Sequence, residues 1–169
     1  MFLAELKKKK IELILVSGRS ASWGHFFLTH FPISYAVMES GGAIITKTNK
    51  LQTKTKYLAT TAQLKKLDLL QKKIQKMFPW LIMAEDNLGR HTDRAIELSS
   101  FVRKSDQDVV ENFLRTHKCH YSISNVHLNF STAPIDKWTG AQFLITKVFK
   151  KNIASVLTQS CFAGDSTND

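Results

Sequence analysis

The run Ile11-Glu12-Leu13-Ile14-Leu15-Val16-Ser17-Gly18-Arg19-Ser20 decides the fold class. Its first part is mostly apolar and does not alternate, as in a strand buried on both faces of a parallel sheet. Its second part, Ser-Gly-Arg-Ser, breaks the strand with turn residues. A helix over 20–30 is expected next, stopped by Pro32, and then a short strand from Tyr35 to Met38. The turn Glu39-Ser40-Gly41-Gly42 leads into another β piece, Ala43-Ile44-Ile45. Residues 1–10 read as the tail of a helix packed beside the first strand. Strand, helix, strand is half of a doubly wound α/β sheet.

The middle of the chain has a different texture. Residues 47–56 are rich in Lys and Thr and suit a linker or hairpin. Leu64, Leu67, Leu70 and Ile74 form the apolar stripe of a long helix over 61–78, with lysines on its solvated side. Strands are expected at 81–84 and 94–98, on either side of a turn at 85–90. Ser105 is the expected N-cap of a helix over 106–117, and 120–124 and 126–130 alternate as strands do. Residues 49–134 therefore read as a separate α+β unit. The α/β texture returns at 135. Asp136-Lys137-Trp138-Thr139-Gly140 opens a helix over 141–149, and 160–163 reads as a small apolar strand ending in Gly164-Asp165-Ser166-Thr167-Asn168-Asp169.

The chain has 169 residues, 43% hydrophobic and 22% charged, which excludes a disordered tail, a collagen or a disulfide scaffold. The net charge is +10, and 19 of the 24 basic residues are Lys. Arginine is the preferred residue for bidentate phosphate and guanine contacts, and the lysines are scattered along the chain. A solvated surface explains them better than a nucleic-acid partner does. Cys119 and Cys161 have no metal-like or disulfide-like spacing. No apolar run approaches the about 18 residues of a membrane span, and the start of the chain has the wrong order for a signal peptide. A soluble, cytoplasmic protein with no membrane partner is expected. The sequence does not fix an oligomeric state.

Three places carry chemistry. A strand ends in Ser17-Gly18-Arg19, Lys137 starts a helix, and the chain closes on Asp165 and Asp169. Ligands of open α/β sheets bind at strand C-termini. A hydroxyl and an ammonium suit phosphate oxygens, and a pair of carboxylates suits Mg²⁺.

These segments resemble the haloacid dehalogenase-like (HAD) phosphatases, in the branch with an α/β cap inserted into the core. Val16-Ser17-Gly18-Arg19-Ser20 is similar to the family's second motif, and Asp136-Lys137-Trp138-Thr139-Gly140 to the segment around its third-motif Lys. Gly164-Asp165-Ser166-Thr167-Asn168-Asp169 is similar to its fourth motif, and Glu39-Ser40-Gly41-Gly42-Ala43 resembles the branch's turn before the cap. Segments 89–95 and 124–129 resemble caps of phosphatases acting on sucrose phosphate or mannosyl-phosphoglycerate. The resemblance implies a partial Rossmann-like core over 1–48 and 135–169 with an α+β cap at 49–134. It implies a Mg²⁺-dependent phosphatase of a small phosphorylated metabolite, a sugar phosphate, in which the cap closes over the site and chooses the substrate.

By the same resemblance the catalytic set is Ser17, Lys137 and Asp165. The substrate set is Gly18, Arg19, Arg90, Arg94 and Asn168, and the metal ligands are Asp165 and Asp169. Each has a plainer alternative. Ser17 suits an N-cap, Lys137 a solvated lysine, Arg90 and Arg94 surface ion pairs, and the terminal acids no role at all. His127 reads better as a packed core histidine than as a ligand. The family's first motif, D-x-D-G-T, carries the nucleophilic Asp and the acid/base Asp, and nothing in this sequence matches it. The resemblance therefore implies a chain truncated at both ends, with the central strand absent between strands 11–16 and 160–164 and with no activity alone. A non-catalytic remnant that binds a phosphorylated ligand or partner is the alternative.

Overall fold

In the computed structural model, residues 2–50 and 52–164 are described. The order is α1 (Phe2–Lys8), β1 (Ile14–Val16), α2 (Ala21–His30), β2 (Tyr35–Met38), β3 (Ala43–Lys47), β4 (Thr53–Tyr57) and α3 (Thr61–Met77). Then come β5 (Arg94–Glu97), α4 (Lys104–Thr116), β6 (His120–Ile123), β7 (His127–Ser131), α5 (Lys137–Phe143) and α6 (Ile153–Leu157). The strands form two sheets, ordered β1-β2-β3-β4 and β5-β7-β6. The α/β class expected from the sequence holds.

In the first sheet β1 and β2 are parallel, and β2–β3 and β3–β4 are antiparallel. Strand periodicity sends alternate side chains to opposite faces. Ala36, Met38, Ala43 and Ile45 pack with Ala21 and Leu28 of α2, while Val37 and Ile44 pack with Leu144, just beyond α5. Burial on both faces explains why these strands read as unbroken apolar runs. In the second sheet all pairings are antiparallel. Ile96, Leu128 and Phe130 face Leu67, Leu70 and Ile74 of α3 and Val110 and Leu114 of α4. Each such side chain contributes about 1.5–3 kcal/mol on burial. The other face of this sheet is polar and turns toward the first sheet's loops.

Several expectations need correction. Residues 53–57 pair with β3 in the first sheet, so a boundary between 48 and 49 cuts through one hairpin ladder. Residues 81–84 form only a single bridge, Met83 to Ile96, rather than a strand. Helix α4 begins before Ser105, with Arg103 at the N-cap and its N–H donated to Asp106 Oδ2 at 2.9 Å. The expected strand at 160–163 does not form. These residues follow α6 as exposed chain outside any ladder, and Phe162 is 70% exposed. A strand exists through its ladder, and among the described residues β1 has a ladder partner only on the β2 side.

The contact between α5 and the β2–β3 turn sets the geometry of the site. A Cβ on Gly140 would stand 2.5 Å from Val37 Cγ1 and 2.7 Å from both Cα and O of Gly41. Helix propensity alone favours Gly140→Ala by about 1 kcal/mol. The backbone of Gly41 cannot give way, so we expect Gly140→Ala to destabilise the fold by about 1–3 kcal/mol in urea unfolding. A stabilised variant would show that α5 does not sit this close.

Candidate functional site

The turn after β2 is an unusual piece of backbone. Glu39, Ser40 and Gly41 have φ of 53°, 52° and 107°. A non-glycine residue in this region costs on the order of 1 kcal/mol, so Glu39 and Ser40 in succession need support. Glu39 N–H donates to Arg19 O at 2.9 Å and Ser40 N–H to Ser17 O at 3.3 Å. Gly41 has no alternative here, since a Cβ would stand 1.8 Å from Asp136 O. The Ser17–Gly18 loop, the Ser40–Gly42 turn and the start of α5 are thus pressed together at one end of the first sheet.

Glu39 is buried, the residue being 2% exposed. Oε1 accepts from Ala21 N–H at the start of α2 at 3.1 Å. Oε2 accepts from His91 N–H at 3.1 Å, Thr92 N–H at 2.7 Å and Thr92 Oγ1 at 2.6 Å. One carboxylate therefore ties the first sheet to the segment leading into β5. Arg90 makes the neighbouring tie. Nε and Nη2 donate to the two oxygens of Asp86 at 2.9 and 3.0 Å. Nη1 donates to Asp93 at 2.9 and 3.0 Å and to Gly18 O at 2.9 Å.

Burial raises Asp86, but the hydrogen bonds and charge of Arg90 and the Ser20 N–H outweigh it and hold the carboxyl below its ordinary value. Asp93 goes the other way. Burial pushes it up to about 7, helped by the Glu39 and Asp86 carboxylates and resisted by Arg90.

Between the two sheets lies a cavity of about 340 Å³, lined by Ser40, Asn129, Ser122, Asp136 and Lys137 among others. Of the residues expected from the sequence, Lys137 is the half-buried first residue of α5 and lines this cavity. Ser17 is half-buried and does not itself line the cavity; its O accepts from Ser40 N–H, and its Oγ accepts from Arg19 N–H at 3.2 Å. Gly18 lies beneath the second sheet, where a Cβ would stand 3.3 Å from both Asn129 Nδ2 and Ser40 Oγ. Arg19 is exposed, its guanidinium 5.9 Å from the Trp23 ring.

Arg90 is not placed to clamp a substrate. Its side chain is 0% exposed and committed to Asp86, Asp93 and Gly18 O. Arg94 is likewise engaged, with Gln71 and Asp68 at 2.6 Å each. His127 is buried and pairs with Glu97 at 3.1 Å, as a packed histidine. Asp165, Asn168 and Asp169 lie outside the described residues. Among the described residues no group of three or more His, Cys, Asp or Glu is placed to hold a metal.

Sequence reasoning missed Asn129, Asp86 and the structural use of Glu39. Glu39 had a signal, a lone acid between an apolar strand and two glycines. Asn129 had one too, a polar residue between Leu128 and Phe130 in a strand.

The model of the haloacid dehalogenase-like hydrolase family matches residues 1–118. The chain belongs to this family. Among curated proteins no sequence matches it significantly. Solved structures share the HAD fold at low identity. Protein 0175 of Thermoplasma acidophilum aligns with TM-score 0.66 and 14% identity, over 89% of this chain and 61% of that one. The sucrose-phosphatase of Synechocystis, solved with sucrose and phosphate, aligns with TM-score 0.62 and 13% identity, over 88% and 62%. A HAD phosphatase of Bacteroides thetaiotaomicron aligns with TM-score 0.59 and 13% identity, over 90% and 65%. This HAD chain thus spans about three fifths of the length of these neighbours.

The buried Asp93 gives this HAD chain a pH signature. Folded, Asp93 holds its proton at pH values where the unfolded chain has lost it, so its contribution to stability falls as pH rises from about 4 to about 7. His25 opposes this: burial and His91 lower it, so its contribution grows as pH rises toward its ordinary 6.5. Comparing wild type with Asp93→Asn isolates the carboxyl. We expect the stability advantage of wild type over this variant to shrink between about pH 4 and 7 in urea unfolding, and to be level above that. A difference independent of pH would show that Asp93 is ionised throughout.

Proposed function

We propose that the Ser17–Gly18 loop, the Ser40 turn and Lys137 form the phosphate-holding part of a HAD-type phosphoric monoester hydrolase site for a small phosphorylated metabolite, a sugar phosphate. The observation that carries this reading is the convergence of the three loops beside one cavity, in a chain of this family. The Ser17 hydroxyl donates to a phosphoryl oxygen, and the Lys137 ammonium offsets its charge. Gly18 leaves room for the ligand, and Arg19 stands at the exposed rim. The second sheet covers the site and selects the rest of the molecule. In this reading Asp165 and Asp169 hold Mg²⁺, whose role is to neutralise charge on the phosphoryl group. The two cysteines are free thiols, which fits a cytoplasmic setting.

One observation favours a second reading, binding without turnover. Transfer to the protein needs an attacking carboxylate in line with the leaving group. No D-x-D-G-T run occurs in these 169 residues. The described carboxylates lining the cavity are already employed. Glu39 accepts four hydrogen bonds, Asp93 is held by Arg90, and Asp136 caps α5 through Thr139 N–H at 2.7 Å. We therefore propose that these 169 residues hold a phosphate monoester and do not hydrolyse it. In calorimetry, Lys137→Ala is expected to weaken inorganic phosphate binding about tenfold or more. No release of nitrophenol from p-nitrophenyl phosphate is expected with or without Mg²⁺. Turnover by the pure chain would overturn the second reading, and unchanged phosphate affinity in the variant would overturn the first.

A further inference from the structure

The outer side of α3 carries a charge that the cavity does not use. At 3.6 residues per turn, Lys65, Lys66, Leu69, Lys72, Lys73 and Lys76 fall within one arc of about 120°. Leu67, Leu70 and Ile74 lie on the opposite side, in the core against the second sheet. All six residues of the arc are exposed, and Leu69, among the lysines, is 68% exposed. The one acid on this helix, Asp68, is engaged with Arg94 at 2.6 Å. Among the described residues no carboxylate forms an ion pair with any of the five lysines.

An ordinary solvated face is made differently. Such faces mix signs, so that residues three and four apart attract. Here Lys72 and Lys76, and Lys73 and Lys76, stand at those spacings with like charge, which costs helix stability. Two of the lysines are also braced by the chain just after α4. Lys73 Nζ donates to His117 Nε2 at 2.8 Å, and Lys66 Nζ donates to His117 O at 3.3 Å. Where α3 ends, exposed apolar groups follow, namely Met77, Trp80 and Ile82. The Trp80 ring is anchored edge-to-face on Phe101 at 5.9 Å.

We propose that this face of α3 rests on an anionic phospholipid bilayer, with the five lysines at the headgroups and Leu69 dipping between them. Charge complementarity selects the occupant. A second copy of the chain would bring lysines against lysines. A nucleic acid would satisfy the lysines, but it has no use for an exposed leucine in their midst. A bilayer takes both at once, since its surface is negative and its interior apolar. With one leucine to five lysines the contact is peripheral, and no described helix is long and apolar enough to cross a membrane.

The test is cosedimentation of the 169-residue chain with vesicles of phosphatidylcholine alone and with about a third of the lipid phosphatidylserine. Binding to the mixed vesicles is expected to be about tenfold or more tighter, and to fall as salt rises. Lys72→Ala together with Lys76→Ala is expected to weaken it on the order of twentyfold, about fivefold per lysine. Lys54→Ala with Lys56→Ala removes the same net charge from exposed positions on β4, and is expected to weaken it about twofold at most. Leu69→Ser is exposed and outside the core. It is expected to weaken binding about threefold or more, with a melting temperature near that of wild type. If the α3 lysine pair or the serine variant fails to fold, the other decides. Equal binding to both kinds of vesicle overturns the proposal. So does an equal loss from the two lysine pairs, which would leave only the net charge of +10. Duplex DNA held as tightly as the mixed vesicles, with Leu69→Ser without effect on either, also overturns it and makes the face a nucleic-acid contact.

Discussion

The arrangement depends on one buried carboxylate. Glu39 sits in a left-handed turn and gathers donors from the start of α2 and from residues 91–92. Those N–H groups lie at the ends of elements, where the backbone has no partner of its own. Without Glu39 they would be buried and unpaired, and the turn would lose the tie that balances its strain. The same turn orients Ser40 and Gly41, and through Gly41 the start of α5. The position of Lys137 thus follows from a hydrogen-bonding requirement at Glu39, far earlier in the chain, not from any property of Lys137.

The Asp86–Arg90–Asp93 cluster does a related job for the second sheet. It joins the Ser17–Gly18 loop to the entry of β5 through Gly18 O and the Ser20 N–H. Removing one member of such a buried set is costly, because it strands the other charges. This explains why an arginine that looks like a substrate clamp in sequence is consumed by the fold. A charged residue near a turn motif is legible as important, but whether it points to ligand or to protein depends on carboxylates many residues away.

Much of the fold was legible locally. The unbroken run before Ser17 and the alternation after 120 gave the strand types, since burial on two faces or one leaves its mark on the pattern. The stripe Leu67, Leu70, Ile74 gave α3, and Thr60 with Gln63 completes its capping box. The failures were of another kind. Residues 160–163 have strand-like composition, yet a strand is a relation between two chains. Residues 53–57 are polar, and only the ladder to β3 assigns them to the first sheet. At the site, Ser17, Gly18 and Lys137 were legible because their motif spacing is local. Asn129 was not, because its meaning comes from β-sheet register and from two loops of the other sheet.

The central claim is that the loops at Ser17–Gly18, Ser40 and Lys137, roofed by Asn129, form one anion-holding cavity. The most direct measurement is an amide nitrogen–proton NMR titration of the isotopically labelled chain with inorganic phosphate. The account predicts saturable shifts concentrated at Ser17, Gly18, Ser40, Lys137 and Asn129. Shifts confined to the lysine-rich face of α3, or growing without saturation over the whole basic surface, would mean that the charge of +10 attracts phosphate without a built site.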